Sequence, residues 1–368
     1  MTVQMILTPA ETALLDALEG ATGWRAATRA ALENRGLPNK RDEAWKWTDL
    51  RRLTGNITEP GTITIAGSRE PDAKLPVTHA PTDMLPRLAG ALGGEARIYT
   101  LNEGENLSLD LTATAGVGHV IYVVEVPSGV SAQAHERLSV AEGGFANIAV
   151  LYRIGEGASL DRIVSTGECP GILALSGGVD LGEGSTLRQT TLTFGGKLVR
   201  LETHLAHPGA KAEAVMDAVY LLAPNRHADL TTTATISGPD GNLSQLTKGA
   251  VASHGHGVFQ GKILVEREAQ RTDARMTHRA LMLGDRAEID AKPELEIYAD
   301  DVQCAHGNAL GAIDETALFY MRQRGLPEAQ ARAILIRSFI SEPLDRIRDP
   351  KIRDSLLEDL AKDLEALS

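Results

Sequence analysis

The chain has 368 residues, a hydrophobic fraction of 43% and a formal net charge of −12. This length allows a large buried core with appended helices, and the net negative charge argues against an extended phosphate-binding surface and therefore against a nucleic-acid partner. Aromatic residues make up only 4% of the chain, whereas there are 36 glycines. Such a composition is typical of many turns and of stacked aliphatic side chains.

The cysteine content and the N-terminus indicate where the protein resides. Two cysteines cannot form the disulfide framework of a secreted domain, and the N-terminus lacks an export signal with its basic region, apolar core and cleavage site. We therefore expect a cytoplasmic protein. The most apolar stretch, His119 to Val126, has the length of a strand and is too short to cross a bilayer, which takes roughly 20 residues. We expect no membrane segment.

Two helices are predicted between residues 8 and 36. Thr8 and Glu11 form a capping box with Pro9 in the first helical position, and Gly36 is placed to end the second helix. These signals are local, because each depends only on residues within one turn. We therefore expect the chain to begin with a helical region.

Two tryptophans follow the predicted helices. Trp45 and Trp47 lie two residues apart, before the first β-type runs. Large aromatic side chains contribute mostly through burial, so we expect both to pack the helical region onto the main domain. Ligand stacking is the alternative, and neither tryptophan is assigned to a site.

The middle of the chain repeats. Glycines in turns precede short alternating runs at spacings of 25, 28, 27 and 25 residues: Gly104, Gly129, Gly157, Gly184 and Gly209. This period is typical of a β-solenoid, in which each coil buries its inward side chains against its neighbours. We predict a mainly β protein with a right-handed parallel β-helix over residues 97–303, an N-terminal helical region and linker over 1–96, and a C-terminal helical region over 304–368.

A solenoid has two open ends that need to be covered. We expect the helical segments 8–36 and 314–367 to cap these ends. An uncapped end is also a template for the strands of a partner, and a related β protein would satisfy it. Both outcomes are compatible with the sequence.

Strands give way to helices near Cys304 and His306. These residues are two apart and therefore point the same way on a strand. Asp314 can cap the next helix, and Gly325 can end it before Pro327. The junction thus places a thiol and an imidazole on one face of the last predicted strand.

Thiolate and imidazole are suitable ligands for iron and for iron-sulfur clusters. A cluster takes about four ligands, so Cys304 and His306 would need a second chain to complete a site. From spacing alone the alternative stays open, because a lone cysteine is often a small buried hydrophobe and a lone histidine a hydrogen-bonded core group. Cys169 has no partner in the sequence pattern.

The other histidines form the remaining candidate for metal chemistry: His204, His207, His254, His256 and His278, with Asp273 nearby. A catalytic metal site needs about three protein ligands, and the sequence does not locate a third ligand for either pair. A metal-dependent or carbohydrate-processing β-solenoid enzyme is therefore kept as the alternative function. It predicts a carboxylate cluster on one solenoid face and usually an export signal.

A nucleotide site is not predicted. The segment Phe194 to Leu198 contains Gly-Gly-Lys but lacks the first glycine and the hydroxyl residue of a phosphate-binding loop. The sequence also lacks a Gly-x-Ser-x-Gly elbow and a signature for a nucleophilic cysteine. We expect no enzyme activity and no nucleotide bound by this chain.

Several segments resemble the family of iron-sulfur cluster assembly scaffolds that comprises SufB and SufD proteins. They are the stretches 293–297 (Pro-Glu-Leu-Glu-Ile), 304–307 (Cys-Ala-His-Gly), 314–320 (Asp-Glu-Thr-Ala-Leu-Phe-Tyr), 324–325 (Arg-Gly) and, near the other end, 38–50 with its Trp-Lys-Trp-Thr-Asp-Leu. The sequence departs from the signature at Asn308-Ala309-Leu310 and at Met321. Neither departure changes the thiol or the imidazole.

The resemblance implies a scaffold subunit of a SufBCD complex. Its short length, two cysteines and N-terminal helices are closer to the SufD branch, so the implied partners are a SufB-like paralogue and a SufC-like ABC ATPase. Self-pairing in the absence of the paralogue is left open. The resemblance also implies a transient iron-sulfur cluster shared with the paralogue, with His306 at the position of the family histidine and Cys304 as a further candidate.

The family places its ATPase contact in the C-terminal helices, and this chain has apolar residues there. On the helix predicted from Pro327 to Ile340, a single face carries Ala331, Leu335 and Phe339. We expect a docking surface made of this face and of residues of the preceding helix: Leu318, Phe319 and Tyr320. The alternative is that the face covers the solenoid.

Overall fold

The computed structural model describes residues 6–367. The helices are α1 (Pro9–Ala17), α2 (Gly23–Arg35), α3 (Leu50–Thr54), α4 (Met84–Leu92), α5 (Glu315–Gln323), α6 (Glu328–Ile340), α7 (Glu342–Asp345) and α8 (Pro350–Ala366). No described helix is long and apolar enough to cross a membrane.

The strands occupy the middle of the chain. The first nine are β1 (Ile63–Gly67), β2 (Ala73–Leu75), β3 (Ala96–Thr100), β4 (Asn106–Ala113), β5 (Gly116–Val126), β6 (Ser131–Val140), β7 (Gly144–Ile154), β8 (Ser159–Thr166) and β9 (Ile172–Leu181). The others are β10 (Thr186–Thr193), β11 (Leu198–His207), β12 (Glu213–Leu222), β13 (His227–Ile236), β14 (Asn242–Val251), β15 (His256–Val265), β16 (Asp273–Met282), β17 (Glu288–Ile297) and β18 (Gln303–Gly311).

Successive strands from β3 onward alternate between two nine-stranded sheets. The even sheet runs from β1 through β4, β6 and the later even strands to β18, and the odd sheet runs from β2 through β3, β5 and the later odd strands to β17. Neighbouring strands of successive coils are parallel, as in the pairs β8–β10 and β9–β11. This is the predicted β-solenoid, and its fold class is confirmed.

Inward side chains fill the space between the sheets. Along β5 the burial alternates at every residue, with Val120, Tyr122 and Val124 all at most 2% exposed. This period of two is what a strand with one face on a core requires. A single continuous apolar core therefore runs along the solenoid.

One turn of each coil has a residue in the left-handed region. The glycines Gly104, Gly129, Gly157 and Gly184 have φ between 60° and 74°, and Lys211, Asp240 and Arg271 continue the series with φ between 58° and 60°. The backbone N–H of Gly157 donates to the Glu183 carbonyl at 2.8 Å, and the equivalent bond recurs along the stack. Gly209 differs from the expectation, because Lys211 takes the left-handed position. Gly209 is needed for a close backbone approach instead, since a Cβ atom there would lie 2.4 Å from the backbone of Gly182 and Glu183.

The predicted helix signals are confirmed. The capping box of Thr8 and Glu11 starts α1, and the Asp314 side chain accepts hydrogen bonds from the first turn of α5. Gly325, with φ of 90°, follows the end of α5. Glu11 also bonds outside its own helix, because its carboxylate pairs with Arg51 at 2.7 Å.

The expectation that the helices cap the solenoid ends is wrong, because both helical regions lie on its flanks. In the N-terminal region Leu85 and Leu88 join a cluster with Phe145 on the outer face of the odd sheet. In the C-terminal region Ile340 and Leu344 join a cluster on the outer face of the even sheet. The outward positions of these strands are apolar and must be covered, which holds the helices against the flanks.

The two ends of the solenoid are closed differently. At the N-terminal end β1 adds antiparallel to β4 and β2 adds antiparallel to β3. At the C-terminal end β17 pairs only with β15 and β18 only with β16, and every residue of these two strands is at least partly exposed. The strand β18 includes residues 304–311, which the sequence analysis had assigned to the C-terminal helical region. Cys304 and His306 therefore belong to the last coil.

Candidate functional site at the open end of the solenoid

Cys304 and His306 lie in one row on β18. Their backbone register places Cys304 opposite Ala274 and His306 opposite Met276, both of which are buried inward residues of β16. Cys304 is partly buried and packs against the solenoid core, whereas His306 is exposed. The predicted common orientation of the thiol and the imidazole is therefore present, at the one end of the solenoid that no further described strand covers.

The thiols of this chain are not activated. Burial raises the pKa of the Cys304 thiol, and the nearby Asp273 carboxylate acts in the same direction, although a backbone hydrogen bond at Ala274 opposes them. Burial also raises the pKa of Cys169 to about 12, and its thiol donates a hydrogen bond to the Leu138 carbonyl at 3.5 Å. Reactive cysteines have lowered pKa values, so Cys304 would need a bound metal or a partner charge to become a thiolate.

The same row continues to Asn308, whose side chain is anchored. The Nδ1 atom of His278 lies 2.7 Å from Asn308 Oδ1, and its Nε2 atom lies 2.8 Å from the Tyr220 hydroxyl. His278 is fully buried and stacks on Phe259 with 4.6 Å between ring centroids. Burial lowers the pKa of His278 to about 4, so its ring is neutral near pH 7. A chain of hydrogen bonds thus runs from the buried Tyr220 through His278 to Asn308 on β18, the last strand of the solenoid.

The facing strand supplies an apolar wall. Ile289 and Leu295 of β17 pack against the solenoid core from the side opposite β18. A Cβ atom added at Gly307 or Gly311, which face the other side of β18, would meet nothing within 4 Å, so the outer face of this strand is uncovered as well. The inner faces of β17 and β18 thus form an apolar wall and a polar wall that no further described strand covers.

The other histidines are held in separate places. His207 is buried and its Nε2 lies 2.7 Å from the Ala212 carbonyl, whereas His254 occupies a left-handed turn with φ of 65°. His256 lies 2.8 Å from Asp290 and stacks on His227 with 4.4 Å between centroids. Within residues 6–367 no three His, Cys, Asp or Glu side chains are grouped so that they could hold a metal ion.

Trp45 has the packing role predicted for it. Its side chain is 8% exposed and belongs to the cluster under the N-terminal helices. The buried guanidinium of Arg200 stacks on its ring at 4.0 Å and pairs with Asp229 at 2.5 Å. Trp47 is half-buried, with the Lys46 ammonium 5.1 Å from its ring. The tryptophan segment is thus held on the odd sheet by the stacking of Trp45 against a buried, ion-paired arginine.

The expected docking residues divide into covered and exposed groups. Leu318 is 2% exposed, while Leu335 and Phe339 are half-buried against the C-terminal cluster. Phe319 and Tyr320 are 61% and 59% exposed. Ala331, on the same predicted face, is fully buried. Only Phe319 and Tyr320 therefore present large apolar area to a partner without rearrangement.

A family model describes the SufBD core domain of the SUF system for iron-sulfur cluster assembly. It matches residues 111–339, which is more than half of the chain. This range includes most of the solenoid, its last coil with β17 and β18, and helix α6 up to Phe339. The chain belongs to the SufBD family. The resemblance found in its sequence signatures is thereby confirmed.

Named members of the SufBD family align with most of the chain. A SufBD family protein of Mycobacterium tuberculosis is 28% identical over 392 residues, covering 94% of this chain and 97% of its own length. The iron-sulfur cluster assembly protein SufD of Escherichia coli is 26% identical over 376 residues, covering 88% of each chain. Over a shorter stretch of 166 residues, a SufBD family protein of Synechocystis is 36% identical, covering 45% of this chain and 37% of its own length.

No local motif in the sequence predicts the link between Asn308 and His278. In the sequence His278 is one of several histidines, and Asn308 is notable only as a departure from the SufBD signature. The signal that could have joined them is their separation of 30 residues, which is one coil of the solenoid and places them side by side in the register. Coil periodicity thus locates neighbours that local motifs do not.

Proposed function

We propose that this chain is the SufD-like scaffold subunit of an iron-sulfur cluster assembly complex. The observation that carries the proposal is the uncapped last coil, with His306 exposed on it beside the partly buried Cys304. The SufBD family membership and the similarity to the Escherichia coli protein named SufD support the same function. In this role the chain binds its partner subunits and helps to hold the cluster, and it catalyses no reaction of its own.

The open end is the surface through which a SufB-like paralogue would pair. Both β17 and β18 have one free hydrogen-bonding edge, which is a template for strands of another chain. Large apolar side chains are exposed on or next to these strands: Ile297, Tyr298 and Leu310. A partner with the same coil geometry would continue both sheets and cover these side chains. Self-pairing is the competing outcome when the paralogue is absent.

The cluster is the cargo of this junction. His306 supplies an imidazole nitrogen and Cys304 is the second candidate donor, so a cluster with about four ligands needs groups from the paralogue as well. The cluster is therefore held only while both scaffolds are joined. Opening of the junction would release it, which suits a transient assembly site.

His306→Ala in the complex with the paralogue tests this proposal. Because His306 is exposed, its removal should leave the melting temperature and the partner interaction unchanged. Iron and sulfide bound by the complex should fall to a small fraction of the native content. The matched control is Gln303→Ala on the same strand, which faces the opposite side and should load normally.

Two results would contradict the proposal. Native iron and sulfide content in the His306→Ala complex would exclude a ligand role for His306. A lowered melting temperature with undiminished cluster content would instead make His306 a structural residue, since loss of a buried hydrogen-bonded group costs about 1–3 kcal/mol.

An ABC ATPase would dock on the exposed aromatic residues of α5. Replacing Phe319 and Tyr320 together by aspartate should abolish co-purification of a SufC-like ATPase, because charges would be introduced at the centre of the buried contact. The same double variant should still bind the paralogue. The reciprocal control is Tyr298→Asp beside the open end, which should weaken the paralogue interaction and leave ATPase binding intact. Equal ATPase recovery with native and doubly substituted chains would contradict docking at this surface.

A further inference from the structure

We infer that Asn308 binds the cargo as well, by donating its side-chain amide N–H to a sulfur atom held beside His306, and that His278 and Tyr220 position that amide. The inference rests on the proposed function, and it adds a hydrogen-bond donor to a site otherwise made of ligands. It concerns this chain in particular, because Asn308 lies where the sequence departs from the SufBD signature.

The direction of the hydrogen bonds follows from the atoms involved. A neutral imidazole has one N–H donor and one acceptor nitrogen. Asn308 Oδ1 can only accept, so the proton of His278 is on Nδ1, 2.7 Å away. His278 Nε2 then accepts from the Tyr220 hydroxyl at 2.8 Å. This arrangement uses the carbonyl oxygen of Asn308 and leaves both amide hydrogens outside the anchoring bond.

The anchor is rigid. Tyr220 and His278 are both fully buried, and His278 stacks on Phe259 with ring planes 8° apart. An exposed asparagine ordinarily samples several rotamers, and ordering it costs free energy. Here the hydrogen bond from His278 already orders the side chain in the folded protein. Asn308 therefore presents its N–H groups in one orientation before any ligand binds.

The position of Asn308 directs those groups to the cargo. It lies two residues from His306 and four from Cys304, so all three side chains project to the same side of β18. Asn308 is exposed at the open end, where a cluster bridging the two scaffolds would sit. Hydrogen bonds to the sulfur atoms of iron-sulfur clusters change their reduction potential, and they also hold the sulfur in place.

Two substitutions separate donation from anchoring. Asn308→Asp keeps an oxygen that accepts from His278 but removes the amide donors, whereas Asn308→Leu removes both functions. Gln303→Leu, on the opposite side of the same strand, is the control. The complex with the SufB-like paralogue and the ATPase is loaded with ferrous iron and sulfide, and the visible circular dichroism, the reduction potential and the rate of iron loss to a chelator are measured.

We expect both Asn308 variants to load iron but to lose it about fivefold faster than the native complex, the change that one hydrogen bond of ordinary strength produces. In the uncharged Asn308→Leu complex the reduction potential and visible spectrum should also shift, because a hydrogen bond to sulfur is lost. The Gln303→Leu complex should behave as native. An unchanged melting temperature of the Asn308→Asp complex will show that this variant is folded. Asn308→Leu leaves the buried His278 N–H without its acceptor, so a modest fall in its melting temperature is expected.

The contrary outcomes are distinct. If Asn308→Asp behaves as native while Asn308→Leu does not, the residue is only an anchor and the inference is overturned. It is also overturned if both variants match a native complex whose loading depends on His306, in which case the proposed function stands. If the native complex takes up no cluster, or takes it up without His306, the proposed function and the inference fail together.

Discussion

Arg162 illustrates how single residues hold the interior of the solenoid together. Its side chain is fully buried, and its Nε donates to Glu136 at 2.8 Å while Nη1 donates to Gln189 at 2.8 Å. The ring of Tyr152 lies 4.4 Å below the guanidinium, and the Tyr122 hydroxyl donates to the same Glu136 carboxylate. Each charge is tolerated because the other one is present.

Replacing Arg162 by methionine should therefore lower the free energy of unfolding by about 3–5 kcal/mol, because it leaves the Glu136 carboxylate buried without a counter-charge. Urea denaturation followed by circular dichroism measures the loss. The double variant Glu136→Leu with Arg162→Met should recover most of it, and Arg275→Met, at an exposed arginine, should change little. Equal losses in the single and double variants would contradict an ion-pair origin.

At the level of the elements, the turn of each coil sets how the stack propagates. The left-handed position is glycine in the early coils and a larger residue in the later ones, with φ of 63° at Gly157 and 58° at Lys211. A side chain costs free energy in this conformation because Cβ approaches the following carbonyl oxygen. The later coils therefore contain a small local strain that the early ones lack.

Gly157→Ala and Lys211→Gly should have opposite effects on stability. A Cβ atom at Gly157 would meet nothing within 4 Å. Gly157→Ala should therefore lower the free energy of unfolding only through the strained backbone conformation, by about 1 kcal/mol. Lys211→Gly should raise the unfolding free energy, by less than that because glycine also gives the unfolded chain more freedom. Gly307→Ala, in open space without a positive φ, is the control. Destabilisation by Lys211→Gly would contradict this account.

For the molecule as a whole, buried neutral histidines make stability depend on pH. Burial lowers the pKa values of His119, His227 and His278 to about 4, so each ring binds a proton in the unfolded chain at a pH where the folded chain does not. The stabilisation of the folded state that results from these neutral rings is complete above pH 6.5 and is lost as the pH falls through about 4. Burial raises the pKa of Asp217 to about 6, and this group acts in the opposite direction over part of the same range.

Three histidines outweigh one carboxyl group, so the unfolding free energy should fall between pH 6.5 and pH 4, by a total on the order of 5 kcal/mol. Urea titrations at half-unit pH steps measure the slope. The variant His119→Gln removes one titrating ring and should make the slope shallower. A stability that stays flat between pH 6.5 and pH 4.5 would contradict the burial of these rings in neutral form.

The sequence by itself determined the repeating fold and the local signals. Alternating apolar residues between recurrent turns specify a strand with one buried face wherever they occur, and the capping residues of α1 and α5 act within a single turn. The shared face of Cys304 and His306 follows in the same way, because the period of a strand is two. All of these properties depend on residues close together in the chain.

Only the tertiary structure decided which surfaces remain open. The apolar helices could cover either the ends or the flanks of a solenoid. They pack on the flanks because both sheets have apolar side chains on their outer faces, such as Phe145 and Leu221. The pairing of Asn308 with His278 likewise depends on the register between coils. Such contacts join residues a full coil or more apart, so no local pattern encodes them, and they leave the coil that carries His306 exposed.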